Sequence, residues 1–551
     1  VSPAVRAALA VAGGLAMAMA LPQAFPWLSL REVDPAGHLE VLAWGALVPV
    51  LLAVGPSRGL RGAAAVGLAA GLAYFYGAIW WVNHAMTAFG GLGLGLSLVA
   101  LSLLVLYMAA HWAAALALSW WIRRRLGWPW WAHLPAAWVA AEWLRNYLLT
   151  GFPWGNLGYT QARNLAVAQL AAAAGPYGIA ALVAFVNAAL AEVAEAGLAR
   201  RPVPWRPAAA AAALVALAAA GGAARIAWLR GRIAAAPRLA VALVQPNVDQ
   251  AMKNDARTHA EEILGRLAPL TAEADRRGAD LVAWPEASYP WALPPRIATL
   301  DQPGAGVPRL RRAHLLLGAG TWERRRLPSG ALESETSNSV FLLRPDLTVA
   351  GRYRKHHLVP FGEYVPLRRW LPFLRSVVPT MAPQIPGSAL EVLRFPAPEG
   401  GAPVSLAPMI CFDAIFPEVN VAYAAQDPEI LVNPTNDAWY GYSSGPYQFL
   451  AMVRLRAIEA GKAVARPAYA GVSALILPTG EVLPGALPVG PVDPELAPDP
   501  REPPRLLLGE LPRLRGRTLY TRFGDLFAAL ATAWAAAVAV LAWRRRGGGS
   551  R

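Results

Sequence analysis

Uncharged apolar runs recur along this chain at lengths that fit a lipid bilayer, and no other feature restricts its fold as strongly. A helix crossing the hydrocarbon core needs roughly 17–25 predominantly apolar residues. Ala7–Leu30, Gly62–Asn83, Ala85–Ile122, Leu126–Ala141 (continuing past Glu142), Asn164–Ala191, Pro207–Ala224 and Leu526–Trp543 are candidates. Val41–Gly55 is shorter and contains Pro49; counting it gives eight spans and keeps the topology below consistent. Composition agrees, because 56% hydrophobic and 15% charged residues are too apolar for an ordinary soluble protein. Ala18-Met19-Ala20 has the small-residue pattern of a signal-peptide cleavage site. The run continues to Leu30 and further spans follow, which favours an uncleaved first helix.

The formal charge of +15 would suit a polyanion, but its placement points to a membrane and away from nucleic acid. Arg6, Arg58, Arg61, Arg123 to Arg125, Arg200, Arg201, Arg206 and Arg544 to Arg546 flank spans on one side. Short loops on the other side carry only Arg31 and Arg163. The positive-inside rule then puts both termini in the cytoplasm. The segment from about Arg225 to Asp525 lies outside, in the periplasm of a bacterium with two membranes. Within the fifth span, Glu142 and Arg145 share a helix face at i and i+3 and are expected to form a structural pair near the interface. Gly151-Phe152-Pro153-Trp154-Gly155-Asn156-Leu157-Gly158-Tyr159 suits an interfacial re-entrant turn.

The expected division is residues 1–229 with seven spans, a soluble domain at 230–520, and a last span with a basic tail at 521–551. The soluble part alternates strands and helices. Arg238–Val248, Asp280–Trp284, His314–Thr321, Ser339–Leu343, Val404–Ile410, Ile430–Val432 and Ala470–Leu477 read as strands, and Ala256–Arg277 and Tyr447–Val464 as helices. Leu367–Met381 is apolar, basic on one side and broken by prolines. Lying in the headgroup region, as a lid over an acyl chain, and ordinary loop packing are both open to it.

Cys411 is the only cysteine, so it belongs to no internal disulfide or multi-thiolate metal site. It sits between an apolar strand and a helix start, where backbone amides can favour a thiolate; simple packing of a buried thiol is the competing reading. Leu281-Val282-Ala283-Trp284-Pro285-Glu286 is an apolar strand ending in a carboxylate, and Tyr353-Arg354-Lys355-His356-His357 sets a lysine in a turn-rich stretch. Lys355 is one of three lysines, with Lys253 and Lys462, in a chain that otherwise uses arginine; a compact, titratable ammonium is what lysine supplies and arginine does not. His356 and His357 are adjacent, which puts them on opposite faces of an extended chain and argues against joint metal ligation. No metal or cofactor is expected.

Trp-Pro-Glu, Lys-His-His-Leu-Val-Pro-Phe-Gly-Glu-Tyr-Val-Pro and Ile-Cys-Phe-Asp in this order resemble the Glu-Lys-Cys triad of the nitrilase (carbon–nitrogen hydrolase) superfamily. With the eight spans, Glu142-Trp143-Leu144-Arg145, Gly151-Phe152-Pro153-Trp154, Asn338-Ser339, Asn433-Pro434-Thr435-Asn436-Asp437-Ala438-Trp439 and Arg456-Ala457-Ile458-Glu459, nearly the whole chain resembles the membrane-embedded apolipoprotein N-acyltransferase family. The resemblance implies a polytopic α-helical membrane domain carrying an α-β-β-α nitrilase-like sandwich. It implies transfer of an acyl chain from a phospholipid, typically phosphatidylethanolamine, to the amine of a diacylglyceryl-cysteine on apolipoproteins. Glu286 would be the general base, Lys355 the oxyanion partner and Cys411 the nucleophile forming a thioester. Glu363, Asn338, Phe412, Asp413, Trp439 and Tyr440 are the expected supporting or substrate-binding residues. Phe412-Asp413 stands where the family more often has Tyr-Glu, and Asn254 where a tryptophan often follows the lysine. A tethered amidase or nitrilase using the same triad for hydrolysis is the main alternative; a non-catalytic receptor or transporter is another, though no paired repeat supports it.

Overall fold

The computed structural model describes residues 2–22, 39–326, 332–365, 384–488 and 503–545. Leu367–Met381, Arg31 and Arg546 lie outside those residues. Among the described residues, five helices are long and apolar enough to cross a membrane: Leu60–Ile79 (α3), Leu94–Leu126 (α4), Ala171–Leu198 (α6), Trp205–Ala235 (α7) and Leu526–Arg544 (α11). Three expected spans are shorter. Pro3–Met19 (α1) opens on a Ser2 cap with proline at its first turn and stops before Pro22. Leu47–Val54 (α2) follows a 3-10 turn at Leu39–Trp44. Leu134–Tyr147 (α5) has only 14 residues.

Two expected boundaries move for local reasons. The segment after α3 continues through Trp81–His84 into a π-turn at Ala85–Phe89. The fourth span therefore begins at Leu94, after Gly90-Gly91-Leu92-Gly93, and runs to Leu126. Close helix packing without a hydrophobic drive depends on small residues. A side chain added at Gly67 or Gly71 of α3 would place its Cβ 2.9 Å from the Ala113 or Ala109 Cα of α4.

The segment between α7 and α11 folds as two sheets between helices. One sheet has the order β12-β1-β2-β4-β5-β6, with β3 also paired to β4. Its strands are Arg238–Gln245 (β1), Leu281–Ala283 (β2), Tyr289–Leu293 (β3), His314–Arg326 (β4), Leu332–Leu343 (β5), Val349–Arg354 (β6) and Arg505–Pro512 (β12). The other has the order β11-β10-β9-β8-β7, from Leu393–Phe395 (β7), Val404–Pro408 (β8), Ile430–Val432 (β9), Ala463–Arg466 (β10) and Ala474–Ile476 (β11). The period of two along a strand sorts its side chains between layers. Val241 and Leu243 face the core shared with the second sheet. Ala242 and Val244 instead meet Ile263, Leu267 and Ala274 of the outer helix Ala260–Arg276 (α8).

The second sheet is covered by Pro417–Tyr423 (α9) and Gly445–Ala460 (α10). α10 has almost no exposed side chain, because the sheet covers one side and α6 of the membrane domain the other. The sequence suggests a helix running to Val464, but Gly461 adopts φ 65° and ends it. Ala463 then starts β10 beside β9. β3, β6, β7, β10 and β12 were not expected as separate strands; they are short or edge elements, and β12 pairs with β1 from the far end of the domain.

Candidate active site

Strands β2, β6, β8 and β9 deliver their C-terminal ends to one place. Glu286 follows β2, Lys355 follows β6, Cys411 follows β8, and the Asn433–Tyr440 loop follows β9. All three expected catalytic side chains are buried there. Lys355 Nζ donates to Glu286 Oε1 at 3.0 Å and to Glu363 Oε1 at 2.9 Å. Glu363 uses its second oxygen to accept the Val359 N–H at 2.8 Å, so it holds the lysine loop as well as the ammonium. Asn338 Nδ2 donates to Glu286 Oε1 at 2.7 Å, and the Asn338 carbonyl accepts the Lys355 N–H at 2.9 Å. Cys411 is buried at the same place, where the Glu286 charge and the Lys355 ammonium act on its thiol in opposite directions.

Strain marks both turns that present these groups. Cys411 has φ 45° and Ala287, next to Glu286, has φ 44°, a region that costs non-glycine residues energy unless the surroundings impose it. At the cysteine, the imposing contacts are the Cys411 N–H donating to Pro434 O at 2.8 Å and the Asp413 carboxylate. Asp413 accepts from the Ile410 N–H at 3.0 Å, the His356 N–H at 3.2 Å, the His357 N–H at 2.6 Å and the Tyr353 hydroxyl at 2.8 Å. It ties the cysteine turn to the residues flanking Lys355, a positioning task with no oxygen left over for substrate. Near Glu286, β4 comes so close that a Cβ on Gly318 would collide with Pro285 O and Ala287 N.

Electrostatics assign the resting protonation states. Burial disfavours charge on Glu286, but the Lys355 and Lys253 ammoniums outweigh it and hold the carboxyl below the usual glutamate range. Burial likewise works against Lys355, and Glu286 and Glu363 reverse it, keeping the ammonium protonated far above the ordinary lysine range. The thiol is the correction: burial and then the Glu286 charge push Cys411 up to about 12. That direction runs against a thiolate favoured by backbone amides and agrees with a thiol whose proton Glu286 takes; the 3-10 turn Cys411–Ile415 is too short to supply much dipole. Both directions favour a neutral thiol beside an ionised carboxylate.

Lys253 and Thr435 belong to this site and were not among the expected site residues. Lys253 Nζ donates to the Glu286 backbone carbonyl at 2.9 Å and lies 4.1 Å from the centre of the Tyr469 ring. With its oxygen turned toward them, the Asn436 amide accepts from Lys253 Nζ at 3.0 Å and Trp439 Nε1 at 3.2 Å. Burial lowers Lys253 to about 8, against the pull of Glu286 and Cys411. Two carboxylates and two ammoniums then balance, which Lys355 alone would not achieve. The scarcity of lysine was the available signal for Lys253, and Thr435 lies inside the Asn433–Trp439 stretch that carries the family resemblance.

The remaining expected residues line the side facing the membrane domain. Phe412 stacks with Phe152 at 6.3 Å between centroids. Tyr440 meets Trp81 edge-on at 4.6 Å and Trp154 at 5.9 Å, and Trp439 meets Phe89 at 5.7 Å. Trp154 Nε1 also donates to Gln448 Oε1 of α10 at 2.7 Å. The expected Glu142–Arg145 pair does not close on itself. Glu142 Oε1 accepts the Leu157 N–H at 2.7 Å and Trp138 Nε1 at 3.0 Å, while Arg145 donates to Asn156 Oδ1 and sits 4.8 Å from the Phe75 ring centre. Both residues hold the Gly151–Tyr159 loop that carries Phe152 and Trp154 to the site.

Residues 12–189 match the family described as apolipoprotein N-acyltransferase N-terminal domain, and residues 240–489 match carbon-nitrogen hydrolase. An amidase of the nitrilase superfamily from Nesterenkonia is similar over 54% of this chain and 99% of its own, with 20% identity and a TM-score of 0.33. The apolipoprotein N-acyltransferase of Bradyrhizobium diazoefficiens is 32% identical over 96% of this chain and 97% of its own. That of Geobacter metallireducens is 34% identical over 93% of both chains. The chain belongs to the apolipoprotein N-acyltransferase family.

Proposed function

We propose that this protein transfers a fatty acyl chain from a phospholipid, with phosphatidylethanolamine the expected donor, to the N-terminal amine of diacylglyceryl-cysteine on apolipoproteins. The observation that carries this reading is that Cys411, Glu286 and Lys355 are buried together, with Lys355 Nζ 3.0 Å from Glu286 Oε1, beside aromatic side chains of a membrane-embedded domain. Both substrates are lipids, and a wholly water-borne nitrilase would have no use for that neighbour.

In the first step Glu286 takes the thiol proton as Cys411 Sγ bonds to the ester carbonyl. Because the thiol starts protonated, proton transfer and attack are coupled, which is general-base catalysis. Lys355 offsets the negative charge on the tetrahedral oxygen together with nearby backbone N–H groups, a contribution often worth ~3–4 kcal/mol per donor. Glu286 returns its proton to the departing lysophospholipid oxygen, leaving a thioester on Cys411. The amine of the acceptor then attacks this thioester, Glu286 removes the amine proton, and the thiol is regenerated. Asn338 Oδ1, buried and without a partner among the described residues, is placed to accept from that amine. Burial of the site and its aromatic wall keep water, the competing acceptor, away.

The membrane arrangement that serves this chemistry has eight spans: the five long helices, with α1, α2 and α5 completing the set. Both termini lie in the cytoplasm, and residues 230–520 stand on the periplasmic side of the inner membrane between domains 1–229 and 521–551. The arginine asymmetry supports this orientation. The test of function is mass spectrometry of purified protein mixed with phospholipid alone. One acyl group should be gained, removed by neutral hydroxylamine, and passed to a diacylglyceryl-cysteine peptide on its addition. Release of free fatty acid with no acylated peptide would make the protein a hydrolase instead.

A further inference from the structure

The outer ends of α7 and α11 carry a basic and aromatic strip that the acyl-transfer chemistry does not use. α7 is uncharged from Pro207 to Ala224 and then continues through Arg225, Trp228, Arg230 and Arg232 to Ala235. At 1.5 Å per residue, Arg225 to Arg232 spans about 10 Å, enough to pass through a headgroup layer of roughly 5–8 Å. The chain returns to the membrane through Arg513, Arg515, Arg517 and the short helix Leu519–Phe523, directly before α11. The two connections touch: Leu229 and Ile233 cluster with Leu514, and Arg232 Nη2 donates to Arg515 O at 2.9 Å. Between them lies an open cavity of about 490 Å³ whose walls include Arg232, Glu399, Glu429, Arg513 and Arg515.

The charges there are only partly neutralised. Arg513 pairs with Glu399 and Glu429, Arg515 with Glu429, and Arg230 with Glu481. Arg232, Arg517 and Arg522 are exposed and have no carboxylate partner among the described residues. Beside them stand Trp228 (56% exposed), Leu519 (57%) and Phe523 (58%), with the Arg232 guanidinium 5.1 Å from the Trp228 ring centre. In the short helix, Tyr520 and Thr521 are buried while Leu519, Arg522 and Phe523 face outward. Exposed aromatics interleaved with unpaired arginines at headgroup depth are a lipid-facing pattern. Guanidinium suits phosphate oxygens through paired N–H donors.

We propose that this strip is a docking surface for anionic phospholipids of the leaflet facing the catalytic domain. Arg232, Arg517 and Arg522 hold their phosphates, while Trp228, Leu519 and Phe523 enter the boundary between headgroups and acyl chains. The proposal rests on α7 and α11 crossing the membrane, and not on the acyl-transfer reading.

The test uses full-length protein in nanodiscs of phosphatidylcholine and phosphatidylglycerol, with the lipids retained after detergent extraction counted by native mass spectrometry. Wild type should enrich phosphatidylglycerol over the input ratio by about fivefold, the effect expected of roughly one arginine near an anionic surface. The triple variant Arg232→Gln, Arg517→Gln, Arg522→Gln should retain lipid at the input ratio. The equal charge change Arg277→Gln, Arg296→Gln, Arg311→Gln, at exposed arginines elsewhere on the sandwich, should keep the enrichment. No enrichment in wild type, enrichment surviving in the triple variant, or loss in the control would each overturn the proposal. Inorganic phosphate at matched ionic strength should displace no lipid; displacement would mark a free-anion site and overturn it too. Should the triple variant fail to fold, Arg517→Gln and Arg522→Gln singly carry the same test, because neither side chain has a hydrogen bond or ion pair among the described residues. Unchanged enrichment in both would overturn the docking surface. Thioester formation by wild type is scored separately, so failure of the lipid surface and failure of the proposed activity remain distinguishable.

Discussion

Phe152, carried by a loop of the membrane domain, stacks on Phe412, the residue immediately after the proposed nucleophile, at 6.3 Å between centroids. The loop is fixed from below by Glu142 and Arg145 through Leu157 and Asn156. A side chain inside the membrane domain therefore sits one residue from Cys411, with Trp154 and Trp81 extending the aromatic wall to Tyr440. Phe152→Ser should reduce acylation of Cys411 from phospholipid in bilayers by about tenfold or more, the effect of misplacing one reacting group. A short water-soluble ester donor should lose much less. Equal losses with both donors, measured as initial rates of adduct formation, would assign Phe152 a packing role only.

Lys355 bridges two carboxylates, and removing it should hurt in two ways. Lys355→Met leaves Glu286 and Glu363 facing each other and takes away the cation beside the oxyanion, so acylation should fall by about 10²–10³. Glu363→Gln keeps a side chain able to accept from Lys355 and should fall less. Cys411→Ala should form no adduct at all. An acyl group persisting on Cys411→Ala would place the intermediate on another residue.

Lys253 helps hold Glu286 ionised, so its loss should appear in the pH profile. Burial raises the Glu286 carboxyl, and Lys355 and Lys253 lower it; with Lys253→Gln only one cation remains. The base is active when deprotonated, so the acid limb of the acylation rate should move to higher pH, by about one unit for ~1.4 kcal/mol of lost interaction. A limb unmoved in Lys253→Gln would separate that lysine from the base.

Asp413 gathers four donors, and burial raises it to about 6 even so. Asp413→Asn keeps the shape but replaces one acceptor oxygen with a donor that faces other donors. Leaving buried N–H groups unsatisfied costs ~1–3 kcal/mol each, so the melting temperature should fall by several degrees and acylation should fall with it. A variant as stable as wild type would show that the cysteine turn holds its strained φ without this carboxylate.

Reporter fusions test the membrane topology. Fusions after Gly90 and within Arg238–Asp525 should report outside, and fusions after Arg125 and Arg546 inside. A cytoplasmic signal from the sandwich domain would reverse the orientation drawn from the arginines.

Much of this protein was legible in local sequence because the physics behind it is local. Apolar run length relates directly to bilayer thickness, and the continuous apolar run Leu239–Val244 relates directly to a strand buried on both faces. Glu286 and Cys411 could be found because each closes an apolar strand with a residue type that chemistry needs, and Lys355 because lysine is scarce in this chain. The resemblance to a family supplied their joint roles. Helix ends were less legible where a single glycine decided them, as at Gly461.

What only the tertiary structure decided are relationships between distant segments. The state of Cys411 depends on burial and on Glu286, 125 positions away in the chain, both of which push its thiol up, and the residues around the cysteine alone do not show this. Asp413 was expected as a supporting or substrate-binding residue beside the cysteine, and three of its four donors come from the Lys355 strand and turn. Glu142 and Arg145 looked like a pair by helical spacing, but each found a better partner in a loop that the spacing does not describe. Charge and hydrogen-bond energies depend on which groups meet in a low-dielectric interior, and that meeting is a property of the folded chain.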